Sequence, residues 1–366
     1  MLILDKIKKE VVRNIPSYFL VIESVGLGRI LRSVFSSLFL TNKSGIKVTE
    51  IKKLSRHTPL PIYFLLTPEV HKSNDWYGNA TWLKKYAGID DNYSIKAPLE
   101  HGSVPTKIIF SQDVETMFPA MLTYSKKRKN YLEKSLGKRV FAIGPYIHYA
   151  PNLVSEKKSR EEKIRLGKNL LVFTAHSSVD VRNDYDIQNF CKEISRVAKN
   201  FDTVRICLYW KDILYGVDEI YRKFGYECVS AGDIFDPLFL PRLKAIINSS
   251  TVTMSNSIGT YLGYCVFMGK PHYYVDQKIL SSGNKPIIRD SKRLSDSKVT
   301  STIKQAFGKY RETITREQME IISPEWGFDQ IKSPQEIKNI LEECELLYKT
   351  DLSKKASDGC NFRQIS

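Results

Sequence analysis

Several common signatures are missing from this chain of 366 residues. No GxxxxGK(S/T) run occurs, which excludes an ordinary P-loop. No strict GxGxxG follows a strand pattern; Gly26 and Gly28 lie in a helical context and cannot serve. No His/Cys set has zinc spacing, and the six cysteines form no CxxC pair. They read as reduced thiols, four of them within apolar runs, in a cytosolic protein. The longest apolar zone, residues 18–40, is interrupted by Glu23, Arg29 and Arg32, which is poor for a membrane span. The opening MLILDKIKKEVVRN is charged too early for the apolar core of a secretory signal. No repeat of solenoid length is visible. Acidic residues are also short, 40 against 56 Lys+Arg, leaving a net charge of +16. That balance favours anionic partners: nucleic acid, anionic lipid surfaces or phosphorylated substrates.

What is present is an ordinary globular composition, 42% hydrophobic and 26% charged, which excludes a disordered or collagen-like chain. Residues 1–57 carry eleven Lys/Arg against four acids. Within them Leu27, Ile30, Leu31, Val34, Phe35 and Leu38 form a helical stripe, with Arg29 and Arg32 opposite. Such a helix either docks on the core or lies on an anionic membrane. Strands are expected at Ile62–Leu66, Tyr93–Ala97, Lys107–Phe110 and Val140–Ile143, with helices at Ala80–Tyr86 and Val114–Leu136. Residues 151–168 hold nine charges and few large apolar side chains, and mark a domain boundary.

Beyond it, short β-branched strands at Leu170–Thr174, Val204–Tyr209, Tyr226–Val229, Val252–Met254 and His272–Val275 alternate with helices. The helices fall near Ile187–Lys199, Ile213–Phe224, Leu238–Ile247 and Gly259–Met268. That alternation predicts a doubly wound parallel sheet, a Rossmann-like α/β domain. A loop is expected over 276–298, helices at Val299–Tyr310 and Pro334–Tyr348, and a polar tail over 351–366.

Ligands of open parallel sheets bind beyond the carboxyl ends of the strands, so the residues after each strand are the candidates. Ser255, Asn256, Ser257, Gly259 and Thr260 open a helix and suit an anion at its N-terminus, or simply cap it. Asp236 reads as a helix cap or a contact to a donor ribose or base, with Arg242 on the following helix able to face an anion. His176 follows the first strand of the second half and can serve acid–base work or be a structural histidine. Glu100 and His101, before Gly102, can reach one cleft, and a carboxylate there can act as a general base. Asp75 and Trp76 open a helix as a cap, or offer an aromatic ring to a sugar. Asp184-Tyr185-Asp186 has metal-binding spacing but sits at a helix start, where acids are expected anyway.

The stretch TMSNSIGTYLGYCVFMGKPHYYV, preceded by GDIFDPLFLPRLKAII, resembles the donor half of bacterial GT-B glycosyltransferases that build capsule, lipopolysaccharide and related surface glycans. NDWYGNATWLKKYAG, EHG and TAHSS resemble other blocks of that group, so the likeness spans about residues 61–275. The resemblance implies two Rossmann-like domains facing across a cleft: residues 1–150 on the acceptor side (Asp75, Trp76) and 151–350 holding a nucleotide sugar. It implies a donor phosphate cradled by Ser255, Asn256, Ser257, Gly259 and Thr260, with Glu100 or His101 in catalysis and His176 near the leaving group. It also implies a C-terminal helix that returns to the first domain. No metal or other cofactor is implied. The favoured donor class is a CMP-activated acidic sugar such as Kdo or sialic acid. The His-Pro element of such transferases has no counterpart here, only Pro271-His272 in reverse order. A retaining route would call instead on a carboxylate such as Asp180, Asp212 or Asp233. The expected partners are the donor, a glycan or lipid-linked acceptor and an anionic inner-membrane face, with no nucleic acid; the expected location is cytoplasmic, peripheral at that membrane. A polyol-phosphate transferase using a CDP donor and a non-catalytic nucleotide- or glycan-binding module are the alternatives.

Overall fold

The computed structural model describes residues 45–56, 69, 71–103, 105, 107–109, 118–178 and 180–361. The basic stripe over Leu27–Leu38 and the strand expected at Ile62–Leu66 lie outside them.

In the first half, helices α1 (Ile51–Leu54) and α2 (Asn79–Tyr86) precede strand β1 (Ala120–Thr123), helix α3 (Lys126–Leu136) and strand β2 (Arg139–Ala142). β1 and β2 pair in parallel. Leu99 adds one parallel bridge to Leu122, so the chain at 98–100 runs extended beside β1. This differs from the sequence reading, which placed a strand at Tyr93–Ala97 and a helix from Val114. All four residues of β1 are buried. A strand covered on both faces is a continuous apolar run, which periodicity cannot tell from a helical segment. The helix proper begins at Lys126, where the Ser125 hydroxyl accepts the Arg128 N–H and so satisfies one of the first-turn donors. Residues 107–109 are not in a strand.

The second half opens with α4 (Glu156–Leu166), in the charged stretch read as a boundary. Then follow β3 (Asn169–Phe173), β4 (Val181–Asp184), α5 (Ile187–Ala198), β5 (Thr203–Cys207), α6 (Trp210–Leu214) and α7 (Val217–Lys223). One helix was expected over Ile213–Phe224; the chain breaks it at Gly216, whose φ of +75° is the left-handed conformation glycine adopts cheaply. Next come β6 (Glu227–Val229), α8 (Phe239–Asn248), β7 (Val252–Ser255), α9 (Thr260–Phe267) and β8 (His272–Tyr274). The parallel sheet has the order β6-β5-β3-β7-β8, as expected for a doubly wound α/β fold. The strands alternate in burial direction. Leu170 and Val172 pack with Phe190, Cys191, Ile194 and Val197 of α5. Leu171 and Phe173 face the other way, toward Leu240, Leu243 and Ile247 of α8 and Leu262 of α9.

Residues 276–298, expected as loop, instead form β9 (Leu280–Gly283), antiparallel to β4, and α10 (Lys285–Ser295). Their exposure explains the miss: no residue of α10 is buried, so no apolar run announces it. Three helices follow: α11 (Lys298–Phe307), α12 (Arg316–Trp326) and α13 (Pro334–Asn361). α13 absorbs most of the tail and returns to the first half, where Leu341 O accepts the Tyr93 hydroxyl at 3.0 Å. Buried side chains form one continuous cluster across the two halves, from Leu83 and Leu122 through Phe173 to Trp326. Cys191, Cys228, Cys265 and Cys344 are buried free thiols, and burial pushes the Cys191 thiol up to about 11.

Candidate functional site

The sheet order reverses at β3. The chain moves outward on one side through β5 and β6, then crosses back to β7 on the other. Loops leaving β3 and β7 therefore diverge, and the gap at their carboxyl ends is the topological switch point where ligands of such sheets bind.

The loop after β7 is fixed from below. Ser255 Oγ donates to Ser257 O at 2.7 Å and shares a hydrogen bond with His272 Nε2 at 2.9 Å. Thr253 Oγ1 meets the other ring nitrogen of His272 at 2.8 Å. Burial pushes the His272 pKa down to about 3, so this imidazole is neutral. Asn256 accepts the Ala175 N–H through Oδ1 at 2.7 Å, tying the loops after β7 and β3 together. Its Nδ2 donates to Gln277 Oε1 at 2.7 Å. Ser255 and Asn256 thus spend their side chains inside the fold. Ser257 Oγ meets the Tyr261 hydroxyl at 2.8 Å, and the Tyr261 ring stacks on Phe173 with centroids 4.5 Å apart. No side chain caps α9, whose N-cap is Gly259. Uncapped first-turn N–H groups and the positive end of the helix dipole favour an anion there.

The first half closes over this helix end. Thr260 Oγ1 accepts the Ser103 N–H at 3.1 Å, and a Cβ at Gly102 would stand 2.7 Å from the same oxygen. Only glycine lets the turn approach so closely. Immediately before it, His101 stacks on Tyr77 at 5.4 Å and meets Trp76 edge-on at 4.5 Å. Burial, reinforced by repulsion from His176, pushes the His101 pKa down to about 4. Its Nδ1 and the Trp76 Nε1 are buried and make no hydrogen bond among the described residues.

His176 sits at the rim, exposed, with its ring 4.7 Å from Tyr209. The Tyr77 and Tyr209 hydroxyls lie 3.4 Å apart, and Tyr77 packs on Phe239 at 4.6 Å. Tyr77 adopts φ +60°, the one non-glycine positive φ among the described residues, and its N–H donates to Ile234 O at 2.6 Å. A bulky residue in that region is strained, and such strain concentrates at functional sites.

Other predicted residues are engaged elsewhere. Glu100 is 1% exposed; Oε1 accepts Arg128 Nε at 2.7 Å, and Oε2 accepts the Thr123 hydroxyl. Burial pushes its carboxyl above the ordinary range, against the pull of Arg128 and Thr123. Its geometry anchors the turn that carries His101. Asp236 accepts the Leu238 N–H at 2.9 Å and pairs with Arg242 at 2.6 Å, both buried. Asp75 is buried beneath the aromatic turn. Asp186 caps α5, as a helix start predicts, whereas Asp184 ends strand β4 and pairs with Arg182 of the same strand. Among the described residues no group of three or more His, Cys, Asp and Glu is arranged to hold a metal ion.

Asp212 gains weight from the structure. Both its oxygens accept the Ser177 N–H, at 3.1 and 3.2 Å, holding the loop that carries His176. Burial pushes its pKa up to about 6. Tyr209, which starts the same turn after β5, was not singled out in the sequence, although the rule of reading past each strand end points to it.

No protein-family model matches the chain, and no curated protein matches it.

Proposed function

We propose that the chain is a metal-independent glycosyltransferase that moves a sugar from a nucleotide-sugar donor to a glycan or lipid-linked acceptor. The observation that carries this reading is the meeting of three distant segments at the switch point. The Ser103 N–H donates to Thr260 at the start of α9, and the Ala175 N–H donates to Asn256, which ties the loop carrying His176 to the loop before α9.

In this reading the two halves act as the facing domains of a GT-B enzyme. The donor phosphate lies at the N–H groups of 257–260. The acceptor hydroxyl lies beside His101 and the Trp76–Tyr77 rings, which suit the apolar face of a sugar. The acceptor oxygen forms a bond to the anomeric carbon as the bond from that carbon to the donor phosphate oxygen breaks. The electron pair leaves on the phosphate, where the helix dipole stabilises it. The hydroxyl proton passes to the His101 imidazole, which is neutral at neutral pH. CMP-activated acidic sugars are the first donors to try. Among the described residues no helix is long and apolar enough to cross a membrane, so a lipid-linked acceptor would be met at a surface.

The test is turnover by the full chain with each nucleotide sugar and extracted envelope glycolipids, read by product mass. A gain of one sugar residue is expected, with the rate cut about a hundredfold in His101→Ala. Addition of a phospho-polyol would replace the reading with a CDP-dependent transferase. Nucleotide binding without turnover across the panel would make the chain a binding module.

A further inference from the structure

The last turn of α12 packs on the start of α9, and Trp326 makes the contact. Trp326 is 1% exposed and has the largest fully buried side chain among the described residues. Its Nε1–H donates to Thr260 O, in the first turn of α9, at 3.1 Å. One turn further on, the indole lies against Gly263, where a Cβ would stand 2.2 Å from both Cδ1 and Nε1 of the ring. Glycine weakens a helix interior, and here it lets the indole reach the helix backbone. Trp326 therefore grips α9 at two points, the Thr260 carbonyl and Gly263. The turn it holds is the one whose own N–H groups no side chain caps.

The grip is fixed in turn to the first half. Glu325 pairs with Lys127 of α3, and the Ser103 hydroxyl donates to Glu325 O at 3.4 Å. Gly327 ends α12 with φ +67°, and a Cβ there would lie 2.1 Å from the carbonyl oxygen of Tyr124, the residue after β1. A Cβ at Gly144, shortly beyond β2, would lie 3.0 Å from Gly327 O. The Tyr124 hydroxyl also meets that of Tyr264, the neighbour of Gly263, at 2.9 Å. The carboxyl ends of β1 and β2 thus seat the last turn of α12, and Trp326 passes that placement to α9.

The geometry points to Trp326 as a positioning residue: it touches no ligand, but it sets where the first-turn N–H groups of α9 aim, and so how well they hold a phosphate. The inference rests on the reading of the α9 start as the donor-phosphate site. The pull of a helix end on an anion falls off within the first turn, so a small shift of Thr260 is felt by the phosphate and not by the rest of the ligand.

The test compares the wild type with Trp326→Phe, which keeps a buried ring and removes the N–H donor; urea unfolding checks that the variant folds. The probe is whichever of CMP, CDP, UDP, GDP and dTDP binds the wild type most tightly by calorimetry. Its dissociation constant should rise about fivefold in the variant, the worth of one hydrogen bond. At saturation the phosphorus NMR signal of the bound nucleotide should move between wild type and variant, while its base protons stay in place. A second measurement uses the wild type alone. The indole N–H signal of Trp326, one of four tryptophans, is assigned by elimination with Trp76→Phe, Trp82→Phe and Trp210→Phe, and it should shift when the nucleotide binds. A wild-type chain that binds none of the nucleotides overturns the donor-site reading and this inference with it. Wild-type binding with an unchanged affinity in the folded variant overturns the inference alone. So does an affinity loss with an unmoved phosphorus signal, which makes Trp326 merely structural, and so does an indole signal that the nucleotide leaves in place.

Discussion

Replacing Gly78 by alanine probes the seam that brings the aromatic turn of the first half onto the second. Gly78 has φ +74°, and a Cβ there would lie 2.2 Å from Pro237 O, well inside van der Waals contact. Two hydrogen bonds cross the same seam, Tyr77 N–H to Ile234 O and Trp82 Nε1–H to Pro237 O, each 2.6 Å. Gly88 supplies the control: its φ is +66°, but nothing lies within 4 Å of an added Cβ. Gly88→Ala therefore carries only the left-handed backbone cost, about 1–2 kcal/mol. Gly78→Ala carries the same cost, and it must also part the seam and stretch two hydrogen bonds worth about 1 kcal/mol each, for a total of about 3–4 kcal/mol. Equilibrium urea unfolding of the two variants reads the difference. Because the seam also seats Tyr77 under His101, Gly78→Ala should in addition diminish any stabilisation by a bound nucleotide, and Gly88→Ala should not. Losses that agree within about 0.5 kcal/mol would refute the reasoning, since the two halves would then not be in register at this contact.

Further expectations follow from the same geometry. Thr260→Val removes the acceptor of the Ser103 N–H and should cost about 1 kcal/mol in urea unfolding; no loss would show that the turn does not close on α9. Glu100→Gln leaves the Arg128 guanidinium buried without its anion and should cost about 3 kcal/mol, against a fraction of that for an exposed pair. Stability should also fall in acid. The folded-state pKa of His272, about 3, lies below the unfolded value, so its protons bind preferentially to the unfolded chain. The stability it allows is fully present above about pH 6.5 and is lost as pH falls through the interval toward 3, by about 5 kcal/mol in the limit. The urea midpoint measured from pH 7 to pH 4 checks this, and a midpoint that His272→Gln leaves equally steep would assign the acid loss to other groups.

The second half was largely legible because each strand there is a short β-branched run bounded by turn residues, and each amphipathic helix shows its period. α5 is the clearest case, with Phe190, Cys191, Ile194 and Val197 on one face. β1 was hidden because burial on both faces leaves no alternation, and α10 because exposure on all sides leaves no apolar stripe. α12 was missed although Thr315 and Gln318 form a capping box that the sequence displays; Pro324 near its end obscured the helical pattern. For the site, reading past the strand ends led to His176 and to the Ser257–Thr260 helix start. Long-range pairing decided the rest. Nothing local shows that Glu100 is held by Arg128 from 28 residues away, or that Asp212 clamps the Ser177 loop from 35 residues away.

The most direct test of the central claim is the thermal shift of the full chain with CMP, CDP, UDP, GDP and dTDP and their common sugars, repeated with Ser257→Ala/Thr260→Val. A nucleotide at a hundred times its dissociation constant stabilises by about 2.7 kcal/mol, a shift of several degrees. The account predicts that one base family raises the melting temperature of the wild type and that the double variant loses most of the rise. A wild-type chain that no nucleotide or nucleotide sugar stabilises, or a rise the double variant keeps in full, would contradict a donor site at the switch point.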